Sequence, residues 1–193
     1  MTGSSPPKHE VSFCADVKSW LDALFAKHPE WPFHRAEIEE TGHGSRKRSD
    51  LKIMDREHRT PVLTGEVKMP GTPEGRNPYS DELMQDAAQK AENLQADYFF
   101  TWNVNKFVLF DRSQWKKPVL ERRIRDWNLD VALTRPDDCG LPEIQTRIRD
   151  KFLPQVFADL AAIVSGRLRD WACGWSIQGS GRGLRWRGPE DVH

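Results

Sequence analysis

Two short apolar runs, Leu51-Lys52-Ile53-Met54 and 61–69, flank a polar turn at Asp55-Arg56-Glu57-His58-Arg59 and carry charges at telling places. Asp50 opens the first run, and Glu66-Val67-Lys68 sits near the end of the second. Strand side chains alternate between faces, so Glu66 and Lys68 point one way and Val67 the other. If the two runs pair as neighbouring strands, Asp50 reaches the face of Glu66 and Lys68. Two carboxylates and an ammonium then meet at one spot, a grouping suited to Mg²⁺ and to phosphodiester chemistry.

The surrounding order supplies a frame for that spot. Val11, Cys14, Val17, Trp20, Leu21, Leu24 and Phe25 recur at steps of three and four, which predicts an amphipathic helix over 11–27, stopped by Pro29 and Pro32. Residues 33–41 alternate as a strand, and a Gly- and Arg-rich connection leads to Asp50. After the Glu-Val-Lys strand comes a loop over 70–78 too rich in Pro and Gly for regular structure. A helix is predicted over 80–94 with Ser80 as N-cap, and its Leu83, Ala87, Ala88, Ala91 and Leu94 form a small-residue face. Tyr98–Trp102 and Lys106–Phe110 read as aromatic strands joined by Asn103-Val104-Asn105. The order is α-β-β-β-α-β-β, a mixed α/β sheet flanked by helices. From Asp111 the pattern weakens until a helical stretch over 141–171, which Pro154 should kink or restart. Residues 1–10 read as a leader, 11–130 as the core, 131–175 as a helical extension and 176–193 as an Arg/Gly-rich tail or linker.

Composition narrows the class without deciding it. At 193 residues the chain can hold one domain with a real core, or one domain plus an appendage, and eight Trp with nine Phe argue against disorder. Lys+Arg and Asp+Glu each total 29, so net charge carries no message about a nucleic-acid partner. Cys14, Cys139 and Cys173 have no CxxC spacing, and the six His show neither HxH nor HxxxH. A zinc site and a disulfide framework are therefore not expected, and a cytoplasmic protein with reduced thiols is. No apolar run approaches the ~20 residues of a membrane span.

Phosphodiester hydrolysis needs an activated water and neutralisation of charge growing on the phosphate. Asp50 and Glu66, with the Val67 carbonyl, offer the hard oxygens Mg²⁺ prefers, and Mn²⁺ can substitute; Lys68 can orient the attacking water. Asp50…Glu66-Val67-Lys68 within this element order resembles the PD-(D/E)XK nuclease superfamily. More closely, "SDLKI…TPVLTGEVKMPG", a Gln-bearing helix and "YFFTWNVNKFVLFD" resemble the nuclease domain of type I-like restriction subunits. The resemblance covers about Val11 to Asp111 and implies a restriction-endonuclease-like fold. It places Gln85 at the family glutamine, near the metal or the DNA. Gln89 stands where those helices carry Tyr, and Ser49 where Pro is usual before the Asp. Some members add an acidic residue upstream, for which Glu37 is the candidate among Asp16, Asp22, Glu37, Glu39 and Glu40.

Plainer readings stand beside these. An isolated D…ExK is more often a surface ion-pair group, and Arg46-Lys47-Arg48 is either a solvated loop or a contact to substrate phosphates. Arg182, Arg185, Arg187 and Trp186 read as linker before DNA-contacting tail, and Gly179-Ser180-Gly181-Arg182-Gly183 lacks the residues of a phosphate loop. The expected function is a Mg²⁺-dependent DNA endonuclease of a restriction or phage-defence system. Translocation and target choice would come from further domains or subunits, and double-strand cutting from a transient dimer. The alternative is a non-catalytic nucleic-acid-binding or assembly module on the same fold.

Overall fold

The computed structural model describes residues 9–38, 51–57 and 59–166. Among them, six strands form one sheet in the order β1-β2-β3-β4-β5-β6. Helix α1 (His9–Lys27) precedes β1 (Phe33–Ile38), β2 (Leu51–Asp55) and β3 (Pro61–Val67). Helix α2 (Asp81–Leu94) then carries the chain over to β4 (Tyr98–Trp102), which lies parallel to β3. The other neighbours, including β5 (Lys106–Asp111) and β6 (Arg123–Asn128), run antiparallel. The predicted order is present, extended by β6 at the edge.

The alternation of each strand divides the apolar residues between two cores. Leu51, Ile53, Leu63, Val67, Phe100, Trp102, Phe107 and Leu109 join Val17, Leu21 and Phe25 of α1 in the larger one. Phe99, Val108 and Phe110 face the other way and pack with Met84, Ala87 and Ala91 of α2. Phe99 and Phe110 stack at 4.9 Å, and Phe100 and Phe107 at 4.6 Å on the opposite face. The predicted small-residue face of α2 is thus the one laid on the sheet. Ala87 and Ala91 are fully buried, and short side chains let the helix approach closely. Ser80 takes the N-cap position but makes no side-chain capping bond.

The hairpin between β4 and β5 is tighter than its two asparagines suggest. Val104 takes the left-handed conformation, with φ of 66°. A β-branched residue resists that region, and local bonds hold it there. Trp102 Nε1 donates to the Val104 carbonyl at 3.1 Å, and Lys106 N to Asn103 Oδ1 at 2.8 Å.

The C-terminal half departs most from expectation. Two 3₁₀ turns, at Arg112–Gln114 and Val119–Arg122, lead into β6. The helical stretch expected over 141–171, with its kink or restart at Pro154, is, among the described residues, α3 (Pro142–Arg147), a π turn (Ile148–Phe152) and α4 (Leu153–Val164). The restart at Pro154 follows from its missing N–H, which cannot close the ordinary helical bond. Helix α4 ends at Val164, and Gly166, with φ of 67°, closes it; residues 167–171 of the expected stretch lie outside the described residues. Ile148, Phe152, Val156, Phe157 and Leu160 belong to the same core as α1 and the sheet. Among the described residues no helix is long and apolar enough to cross a membrane. Cys14 and Cys139 are buried and outside any disulfide, and burial, with Asp138 beside it, pushes Cys139 up to about 12.

Candidate active site

Strand β3 carries Thr64 and Glu66 on its α2 face, and the backbone stays extended through Lys68, whose N–H donates to the Trp102 carbonyl at 2.8 Å. In the β3–β4 register Thr64 pairs with Phe99 and Glu66 with Thr101, which assigns the face. Gly65 between them makes room: a Cβ there would meet the Phe100 carbonyl oxygen at 2.2 Å. Glu66 and Lys68 therefore sit inside the protein, their side chains 4% and 2% exposed, and they form an ion pair.

A third charge completes the group. Lys90, from the third turn of α2, donates to Glu66 Oε1, while Lys68 holds Oε2. Burial pushes the Glu66 carboxyl up, but the two ammonium groups outweigh it, and the net direction is below the ordinary 4.5. Two residues back on the same face, Thr64 is fully buried, and its hydroxyl has no hydrogen-bond partner among the described residues. Glu66 and the strand beside it offer hard oxygen donors: a carboxylate and backbone carbonyls. That set fits Mg²⁺, which takes one or two carboxylates and keeps several waters. Among the described residues no group of three or more His, Cys, Asp or Glu gathers at one point.

The sequence does not single out Lys90, since the family resemblance points to Gln85 on the same helix. Gln85 is exposed on α2, away from the buried face that carries Leu83. The reason is helical geometry. Gln85 follows buried Leu83 by two residues and lies nearly opposite it, whereas Lys90 follows Leu83 by seven and returns to almost the same line. Gln89 is also exposed and donates to Asn93 Oδ1 at 3.0 Å. The spacing from Leu83 was the available signal.

Glu37 lies on β1 opposite Lys52, which is opposite Thr64 on β3, so the three share the face of Glu66. Its carboxylate accepts from Arg35 Nε at 2.8 Å and stands 3.9 Å from Lys52 Nζ. The structure thus ties Glu37 to β1 and β2 partners rather than to Glu66. Asp50 and Arg46-Lys47-Arg48 lie outside the described residues, as do Glu39, Glu40 and the Arg-rich tail.

The loop leaving β3 is fastened at several points. Gly71 turns with φ of 76°, where a Cβ would meet the Thr134 carbonyl oxygen at 2.1 Å. Thr101 Oγ1 donates to the Pro78 carbonyl at 2.7 Å and Asn103 Nδ2 to the Gly75 carbonyl at 2.8 Å. Tyr79 donates to Asp126 Oδ2 at 2.9 Å, beside Lys106, which donates to the same oxygen at 3.0 Å. Burial raises the Asp126 carboxyl, and these two partners bring it below its ordinary value.

No protein-family model matches the chain, and no curated protein does. Among solved structures, the chain is similar to the type IIG restriction endonuclease BpuSI, with a TM-score of 0.50 and 14% sequence identity. The likeness covers 86% of this chain and 19% of that one. At this identity it establishes the fold: a restriction-endonuclease-like mixed sheet flanked by helices, with a C-terminal helix.

Proposed function

We propose that this chain is the nuclease domain of a restriction or phage-defence system and hydrolyses DNA phosphodiester bonds with Mg²⁺, Mn²⁺ substituting. The observation that carries the reading is the buried Glu66–Lys68 pair at the end of β3. Taking two charges out of water costs several kcal/mol per ion, roughly, and apolar residues of similar size would serve stability as well. A buried ion pair with a displaced carboxyl pKa, on a restriction-endonuclease-like sheet, is better accounted for by chemistry than by packing.

Glu66 and the Val67 carbonyl would hold the cation, and Asp50 would supply the second carboxylate. Support for Asp50 comes from its neighbour: Leu51 pairs with Gly65, the residue before Glu66. The cation, when bound, neutralises charge developing on the phosphate. Lys68 stands beside Glu66, where it can orient a water and stabilise the hydroxide-like nucleophile. Arg46, Lys47 and Arg48 would contact the DNA backbone, which needs point charges rather than base recognition. Target choice and translocation would belong to further domains or subunits, as in the type I-like proteins the sequence resembles. One site per chain cuts one strand, so a transient dimer would make the double-strand break.

The second reading is a non-catalytic nucleic-acid-binding or assembly module. It draws on the lysines that occupy both Glu66 oxygens. Supercoiled plasmid incubated with Mg²⁺ separates the two. The nuclease reading expects nicked and linear products from the wild type and at least ~100-fold slower cleavage by Asp50→Asn. Intact plasmid with wild-type protein in both Mg²⁺ and Mn²⁺, alongside retained DNA binding, would establish the module instead.

A further inference from the structure

Lys90 has no part in the roles assigned above, yet it touches the most buried carboxylate of the described residues. Its side chain is 24% exposed, against 4% for Glu66 and 2% for Lys68. The two lysines are thus not equivalent. Lys68 is enclosed on the strand that carries Glu66, and its reach is set by the strand. Lys90 arrives on a long stem from the neighbouring helix, with solvent at its side, and holds the other oxygen, Oε1.

From this asymmetry, and resting on the nuclease reading of the site, we propose that Lys90 is a positioning residue that occupies the cation's place on Glu66 until a divalent cation displaces it. An ammonium and a divalent cation compete for the same lone pairs on Oε1. They also repel each other, so the two cannot share that oxygen at contact distance. The ammonium that yields is the one with somewhere to go. Four methylenes and a partly solvated position let Lys90 swing outward, whereas moving Lys68 would strand a charge in the core. While Lys90 is in place, the carboxylate stays ionised and aimed across the α2 face, ready for the exchange. After exchange, Lys68 remains to compensate it.

The consequence is a site that loads metal less tightly than its oxygen donors alone would allow. The contact is a charge-assisted hydrogen bond, so its removal should raise cation affinity by roughly tenfold. Mn²⁺ titrated calorimetrically into the full chain without DNA gives a readout independent of cleavage. Wild type, Lys90→Met, Lys90→Arg, Asp50→Asn and Glu66→Gln are compared, each checked by circular dichroism. The expected result is about tenfold tighter binding by Lys90→Met, with Lys90→Arg close to wild type. Equal or weaker binding by Lys90→Met overturns the exchange while leaving the nuclease reading intact. Binding that Asp50→Asn and Glu66→Gln both leave unchanged, or none in wild type and Lys90→Met alike, overturns the cation site and the exchange with it.

Discussion

Glu66 is held by opposing terms of comparable size. Burial drives its carboxyl towards the neutral acid, while Lys68 and Lys90 drive it towards the anion and win. Its folded pKa lies below the ordinary 4.5, so the stability it contributes is fully present above that value. That stability drains away as pH falls through the folded pKa. Chemical denaturation between pH 6 and 3 should therefore show wild type losing more stability below about pH 4.5 than Glu66→Gln, which has no carboxyl to protonate. Parallel curves for the two proteins would remove the electrostatic account of this residue. Glu66 and Lys68 were legible in the sequence because strand alternation needs only their spacing. Lys90 was less so, because its reach depends on how closely α2 lies to the sheet. That distance is set by Ala87 and Ala91, packed on Phe99 and Phe110 of two other strands.

At the scale of elements, the loop after β3 shows what sequence reading captures and what it misses. Its Pro and Gly content announced irregular backbone, and the backbone is irregular. What composition could not show is that the β4–β5 turn fastens it: Asn103 bonds both to the Gly75 carbonyl and to the Lys106 N–H. Asn103→Ala strands these two partners, so it should lower stability by about 1–3 kcal/mol. The same change should speed amide hydrogen exchange across 71–78, measured by mass spectrometry. Unchanged exchange there would mean the loop is held by other contacts. Strand β6 is hard to read from the sequence for a different reason. Arg123, Arg125 and Asp126 interrupt its alternation, as suits an edge strand whose charges discourage pairing with another sheet. The helix boundaries after Leu141 were set by Pro154, the π turn and Gly166 together, and apolar periodicity alone does not register such breaks.

Across the whole molecule, the α-β-β-β-α-β-β order was readable because each element carries its own periodicity. The joining of α4 to the same core as α1 was not, since contacts between residues over a hundred positions apart leave no local pattern. Phe25 and Phe157 meet at 5.3 Å in that core. The sheet so assembled brings Glu66 and Lys68 under α2, and the account stands or falls on whether this buried pair does chemistry. Cleavage of supercoiled plasmid in Mg²⁺ by wild type and Lys68→Met measures that most directly. Lys68→Met keeps the volume of the side chain and leaves Glu66 its contact with Lys90, so the fold should survive. Cleavage slowed at least ~100-fold, with DNA binding retained, is the expected result; equal rates for the two proteins would contradict the assignment of the site.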